Sequence, residues 1–185
     1  MLKKFAGLII SSARELKSVL SLAISSMLTA LNVVLGFFTI QPNELLKFTF
    51  AFIPLSITGM LYGPVAGGLA GIAGDLLKFF IKPTGPYFIG FTISAFLTGF
   101  IYGLFFYKNK ITLWRVALAH LTVVIFVQLL LNSVWIAVLY DKAFLALLPA
   151  RVLKNFIMYP IETGMIYFVS KALEKILERS RITTR

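Results

Sequence analysis

Long apolar stretches, separated by short polar segments, fill nearly all of this 185-residue chain. A bilayer core of about 30 Å needs roughly 20 helical residues, because each residue of an α-helix rises about 1.5 Å. In lipid the backbone polar groups must be satisfied within each segment, so these stretches are predicted to be helices. Six membrane-spanning helices are predicted, at 18–39, 47–63, 65–81, 87–107, 114–140 and 150–173.

The predicted fold class is therefore an all-α membrane protein with six transmembrane helices. Residues 1–185 form one integral membrane domain, in which the helices occupy about 18–173. A short amphipathic segment at 1–17 is expected to lie along the membrane surface, and 174–185 form a basic tail.

The net charge of +11 mostly reports topology rather than nucleic-acid binding. If the six spans alternate, twelve basic residues fall on one side of the membrane. The positive-inside rule places that side, and both termini, in the cytoplasm. These residues are Lys3, Lys4, Arg14, Lys17, Lys108, Lys110, Arg115, Lys171, Lys175, Arg179, Arg181 and Arg185.

Small residues recur at every fourth position in several spans, and such spacing lets helix backbones approach closely. The glycines at 59, 63, 67 and 71 are predicted to pack within the protein. Ser26 and Ala30 in the first span, and Gly99 and Gly103 in the fourth, form further pairs, and one of these faces is expected to contact a partner subunit.

Polar groups inside a membrane are expensive, which makes them functional candidates. Aromatic rings nearby would stack on a flat ligand, and cations would hold a carboxylate. Asp75 and Lys78 are three residues apart, so an ion pair between them is an alternative to ligand binding. The predicted substrate-binding residues are Asp75, Lys78, Tyr87, Phe91, Gln128, Asn132, Trp135, Arg151, Lys154 and Asn155.

The chain has one histidine, His120, and no cysteine, and it contains no P-loop motif. We expect His120 to be buried and bonded to a neighbouring helix. No enzymatic activity, cofactor or metal site is predicted. The polar pattern instead suggests a pocket for an aromatic, anionic small molecule.

The order of segments resembles the substrate-binding S components of the energy-coupling factor (ECF) vitamin transporters, especially the folate-specific subfamily. The matching stretches are 28–36 (LTALNVVLG), 59–75 (GMLYGPVAGGLAGIAGD), 83–103 (PTGPYFIGFTISAFLTGFIYG) and 131–155 (LNSVWIAVLYDKAFLALLPARVLKN). The resemblance implies the six-helix S-component fold in a prokaryotic plasma membrane. It also implies a loop, here 40–46, that closes over the ligand.

The resemblance further implies that the chain captures folate outside the cell and delivers it with an ATP-driven energising module. That module consists of a transmembrane coupling protein and two ABC ATPases. The first helix of the family docks on the coupling protein through a small-xxx-small motif, which corresponds here to Ser26 and Ala30. The alternatives are an S component for another heteroaromatic vitamin, a stand-alone secondary transporter, and a structural membrane subunit.

Overall fold

The structure is a computed structural model that describes the backbone of residues 2–38, 40–43, 46–83, 85–140 and 144–183. Side chains are described for 6–38, 49–83, 85–139 and 148–179. The elements are α1 (Leu2–Glu15), α2 (Val19–Phe37), β1 (Ile40–Asn43), β2 (Leu46–Phe48), α3 (Phe52–Ile81), α4 (Ile89–Phe106), α5 (Leu113–Thr122), a π-helix (Val123–Leu131), α6 (Asn132–Tyr140) and α7 (Phe144–Thr183).

The first predicted span corresponds to α2, and the predicted amphipathic segment forms α1. Ser12, which is fully buried, fastens α1 to the middle of α3. Its hydroxyl donates to the carbonyl of Tyr62 at 2.6 Å and accepts from the amide of Val65 at 3.0 Å. Glu15, at the end of α1, accepts a hydrogen bond at 3.0 Å from Tyr107, which follows α4. The amphipathic helix is thus bonded to the helical bundle at two points.

α3 contains the second and third predicted spans, joined at a sharp bend. Gly63 has φ 87° and ψ −173°, a conformation that side chains rarely adopt, and Pro64 follows it. A Cβ built on Gly67 would lie 3.1 Å from the Cα of Gly59. Residues eight apart in a straight α-helix are separated by about 12 Å, so the two halves of α3 fold back on each other.

The second predicted span, 47–63, begins too early. Its helical part starts at Phe52, because residues 46–48 form β2, which pairs with β1 as an antiparallel hairpin. This short hairpin replaces most of the predicted loop at 40–46. Strands this short are not recognisable from alternating apolar and polar residues.

The glycines of α3 pack against α4, as predicted for internal packing. A Cβ on Gly59 would lie 2.7 Å from the amide nitrogen of Gly103, and one on Gly67 would lie 2.5 Å from the carbonyl oxygen of Gly99. Gly71 meets the backbone of Ala95 in the same way. Because these neighbours are backbone atoms, the two helices are in direct main-chain contact.

The fifth span, 114–140, is a continuous helix whose middle third is the π-helix. The sixth is longer than predicted in both directions. α7 begins at Phe144 rather than 150, continues through Pro149 and Pro160, and extends through most of the predicted tail to Thr183. Its far end is fixed by Glu174, which accepts a hydrogen bond from the amide of Ile111 at 3.0 Å.

Among the described residues, four helices are long and apolar enough to cross a membrane. They are Val19–Phe37, Phe52–Ile81, Ile89–Phe106 and Leu113–Leu139. The bent α3 holds two of the six predicted segments, and α7 holds the last. A buried hydrophobic cluster lies between α4, α5, the π-helix and α7, around Tyr102, Phe106, Val116 and Ile166.

Candidate functional site

A cavity of about 620 Å³ opens between α2, α3, α4, α6, α7 and the π-helix. One end is bordered by the exposed residues Lys82, Pro86 and Tyr87, and we call this end the mouth. Nine of the ten predicted substrate-binding residues line this cavity: Asp75, Lys78, Tyr87, Phe91, Gln128, Asn132, Arg151, Lys154 and Asn155.

The α3 wall carries Asp75, which is bonded across to α4. Asp75 Oδ2 accepts a hydrogen bond at 2.7 Å from the hydroxyl of Thr92. The Thr92 hydroxyl also lies 2.9 Å from the hydroxyl of Tyr87. Lys78 lies one turn further along α3, and its aliphatic stem passes over Gly36 of α2. An acid, a hydroxyl pair and a cation therefore share this side of the cavity.

The opposite wall is formed by the π-helix, α6 and the first part of α7. Arg151 is 9% exposed, and its Nη2 donates to the backbone carbonyl of Gln128 at 3.0 Å. The Nε of Arg151 and the Oδ1 of Asn132 have no hydrogen-bond partner among the described residues. Buried polar groups without partners are costly, so this wall offers both a donor and an acceptor to a ligand.

Trp135 does not line the cavity, contrary to the prediction. Its indole Nε1 donates to the hydroxyl of Ser94 on α4 at 3.1 Å, and its ring packs against Phe88, with centroids 5.6 Å apart. The prediction assumed α-helical spacing from Gln128 onward, but residues up to Leu131 form a π-helix, whose i→i+5 bonding changes the face that later residues present. Trp135 supports the wall from behind, since Ser94 and Phe88 both line the cavity.

The buried position of His120 agrees with the prediction. Its ring is fully buried, and its Nδ1 lies 2.8 Å from the hydroxyl of Tyr102 on α4. Within the described ranges, no three His, Asp or Glu side chains come together as a metal site.

The sequence model of the family described as "ECF transporter, substrate-specific component" matches residues 20–170. The chain belongs to this family. Its members are components of transporters, and the several apolar helices agree with the predicted multi-pass location in a prokaryotic plasma membrane.

Two curated relatives are named folate transporter FolT. One, from Clostridium novyi (strain NT), is 38% identical over 150 residues, which cover 81% of this chain and 87% of the relative. The other, from Leuconostoc mesenteroides subsp. mesenteroides, is 37% identical over 150 residues, which cover 78% and 80%. The solved structure of FolT bound with folic acid matches with a TM-score of 0.78 and 35% identity, covering 82% of this chain and 93% of the FolT chain.

Several cavity residues of this S component were absent from the predicted site. Asn32, on α2, is 3% exposed and donates through Nδ2 to the carbonyl of Ala51, which positions its amide at the cavity wall. Glu162, on α7, is 6% exposed and also lines the cavity. Both carried a sequence signal: Asn32 is a lone amide in an apolar span, and Glu162 continues the polar stripe of Arg151 and Lys154.

The predicted docking pair lies on the surface. Ser26 and Ala30 are both exposed on α2, whereas Ser25 and Thr29 are buried. The loop predicted to close over the ligand, 40–46, lies where no side chains are described, so its closing role stays a prediction.

Proposed function

We propose that this chain is the high-affinity folate-binding subunit of an ATP-driven ECF importer. The observation that carries the proposal is the cavity. Nine of the residues predicted to bind the substrate line one space of about 620 Å³. The FolT names of the relatives and the similarity to FolT bound with folic acid support the same ligand.

The chemistry of the lining suits folic acid. Folic acid joins a ring with a hydrogen-bonding edge, a flat benzoyl unit and two carboxylates. Asn132 and the carboxylates of the lining are the acceptors that the cavity offers to ring N–H groups, and Phe88 and Phe91 offer aromatic faces. The cations Lys78, Lys82, Arg151 and Lys154 would hold carboxylates.

The proposed topology places both termini in the cytoplasm and the mouth of the cavity outside. It follows from the predicted distribution of basic residues, with Lys108, Lys110 and Arg115 in the α4–α5 connection and Lys175 and Arg179 near the end of α7. In this orientation residues 1–185 form one membrane domain that takes folate from the extracellular side.

The chain is expected to work with a transmembrane coupling protein and two ABC ATPases, which supply the energy. The exposure of Ser26 and Ala30 on α2 supports a docking role for that face, because small side chains let a partner helix approach closely. The chain itself binds and does not catalyse.

A vitamin titration of the purified protein tests the ligand. We expect saturable binding of folic acid without ATP, and no saturation by thiamine, riboflavin or biotin at the same concentrations. Saturation by another vitamin without a folate response would overturn the folate assignment while leaving the transporter family intact.

Tryptophan emission gives that titration an internal control. Trp135 lies directly behind the cavity wall, whereas Trp114 is 79% exposed at the start of α5. The emission change on folic acid binding is therefore expected to vanish in Trp135→Phe, while binding measured with radiolabelled folic acid persists. A full emission change in Trp135→Phe would place the ligand elsewhere.

Two substitutions test the cavity. Asn132→Ala and Lys154→Ala each remove one polar group from the lining, and a lost hydrogen bond to a charged group costs about 1.5–3 kcal/mol. Affinity for folic acid should then fall about 10- to 150-fold while the protein is still expressed and folded. Ser133→Ala is the control, because Ser133 is buried beside Asn132 but does not line the cavity. Loss of stability with normal affinity would show that Asn132 and Lys154 only join helices.

A further inference from the structure

A second carboxylate of the cavity lining, that of Glu162 on α7, is more deeply buried than that of Asp75. It lies about three turns along α7 from Arg151, which corresponds to about 16 Å. A carboxylate that is 6% exposed is costly to bury unless polar groups surround it.

His120, on α5, lies beside this carboxylate. Its Nε2 lies 3.1 Å from Glu162 Oε2, in a direction that makes no hydrogen bond in this structure. On the other side of the ring, Nδ1 lies 2.8 Å from the hydroxyl of Tyr102. When this hydroxyl donates to Nδ1, Nε2 carries a proton beside Glu162.

The imidazole of His120 is fixed in orientation by its neighbours. The ring of Tyr102 lies nearly parallel to it at 8°, with centroids 6.4 Å apart. On the other side, Tyr159 stacks at 12° and 5.5 Å, and its hydroxyl donates to the carbonyl of Ala117. From α3 the ring of Phe52 approaches to 6.4 Å. Nε2 therefore has little freedom to turn away from Glu162.

We infer that Glu162 selects the ring of the ligand and that His120 is its positioning residue. The inference rests on the proposed folate function. Glu162 lines the cavity, so its carboxylate can accept hydrogen bonds from a ligand. A carboxylate pairs best with two adjacent N–H donors, and the 2-amino group and N3–H of the folate ring form such an edge.

Asp75 is the competing acceptor, and its surroundings favour another role. Its Oδ2 already accepts from Thr92, and Thr92 is bonded in turn to Tyr87, which is 44% exposed at the mouth. Glu162 is more deeply buried and lies beside the fully buried ring of His120. The ring edge is therefore assigned to Glu162, which leaves the two carboxylates of the ligand to the cations of the lining.

An analogue of folic acid in which methyl replaces the 2-amino group tests this assignment. The wild-type protein should bind folic acid about 10- to 150-fold more tightly than the analogue, the effect of losing one hydrogen bond to a charged acceptor. Glu162→Gln should bring this ratio close to one. Asp75→Asn is the matched control and should keep the wild-type ratio.

The role of His120 is tested with two variants, in which the ratio of the affinities for folic acid and for the analogue is measured again. His120→Gln keeps an N–H donor and should retain most of the preference, whereas His120→Leu should lose most of it. A purely structural histidine would change the thermal stability in both variants but leave the ratio unchanged.

The results that contradict the proposed function differ from those that contradict the role of Glu162. A wild-type protein that does not bind folic acid contradicts the proposed function. A wild-type protein that binds both compounds equally overturns the role of Glu162 alone, even if Glu162→Gln does not fold. The role of Glu162 is also overturned if the preference for folic acid over the analogue disappears in Asp75→Asn but persists in Glu162→Gln.

Discussion

Two stripes of small residues lie on neighbouring helices, and their surroundings are opposite. On α3, Gly59, Gly67 and Gly71 are buried against the backbone of α4. On α2, Ser26 and Ala30 have the same four-residue spacing but are exposed. One stripe is used within the protein, whereas the other is open to a partner.

The difference shows what small residues contribute in a membrane. Lipid removes the hydrophobic drive between helices, so close backbone packing must supply the association energy. The α3 stripe reaches this packing because the bend at Gly63 folds α3 back on itself and α4 lies against it. The α2 stripe has no such neighbour among the described residues, and the larger side chains of Leu22 and Met27 beside Ser26 are exposed as well.

The largest expected effect comes from adding bulk to the contact between the glycines of α3 and the backbone of α4. A Cβ on Gly99 would meet the backbone of Gly67, which has no flexible end that can move aside. We expect Gly99→Ala to destabilise the protein by about 3 kcal/mol or more, at or beyond the upper end of typical overpacking. The measurement is the yield of monodisperse protein in detergent and its thermal unfolding temperature.

Gly164→Ala is the control for this prediction. A Cβ on Gly164, in the middle of α7, would meet nothing within 4 Å. Because alanine is the better helix former, this variant should be neutral or slightly more stable than the wild type. If Gly99→Ala and Gly164→Ala lower the thermal unfolding temperature equally, the role assigned to the α3–α4 contact is contradicted.

The open stripe should respond in a different assay. Ala30→Leu inserts bulk where the coupling protein is proposed to dock, and overpacking there typically costs about 1–3 kcal/mol. Folate uptake by cells that also express the energising module should fall about 5- to 150-fold. Folate binding by the isolated subunit should stay normal, since Ala30 is exposed.

Ala73→Leu makes the same change at an exposed alanine of α3 and should leave uptake unchanged. If Ala30→Leu lowers binding and stability together with uptake, the α2 stripe packs internally after all. If neither uptake nor binding changes, the docking face lies elsewhere on the bundle.

Much of the fold could be predicted from the sequence because the bilayer limits the choices. A long apolar stretch must be a helix, and Gly63 with Pro64 marked the boundary between two spans that the structure shows as a bend. The ends of α7 could not be predicted in this way. Its C-terminal turns contain charged residues that the hydropathy pattern assigned to a tail, and its first turns precede Pro149, a residue that favours a helix boundary.

The site was predictable as far as side-chain chemistry and helical spacing allow. Polar residues in apolar spans converge on one cavity because burial without partners is costly. Trp135 was misplaced because a π-helix leaves no clear pattern in hydrophobicity. Glu162 and His120 come together from α7 and α5, a contact that depends on how two helices pack rather than on spacing within either one.

The smallest expected effect lies where a small residue meets a flexible side chain. A Cβ on Gly36, which lines the cavity from α2, would lie 2.5 Å from Cδ of Lys78. Lys78 can rotate away at a rotamer cost of about 0.5–1.5 kcal/mol, so Gly36→Ala should keep its fold and lose affinity for folic acid about 2- to 12-fold. In a Lys78→Ala background the same substitution should have no further effect, because the side chain it displaces is absent. Equal effects of Gly36→Ala in both backgrounds would contradict this explanation. They would mean that a Cβ at position 36 disturbs the packing of the backbone, as at Gly99, rather than the position of the Lys78 side chain.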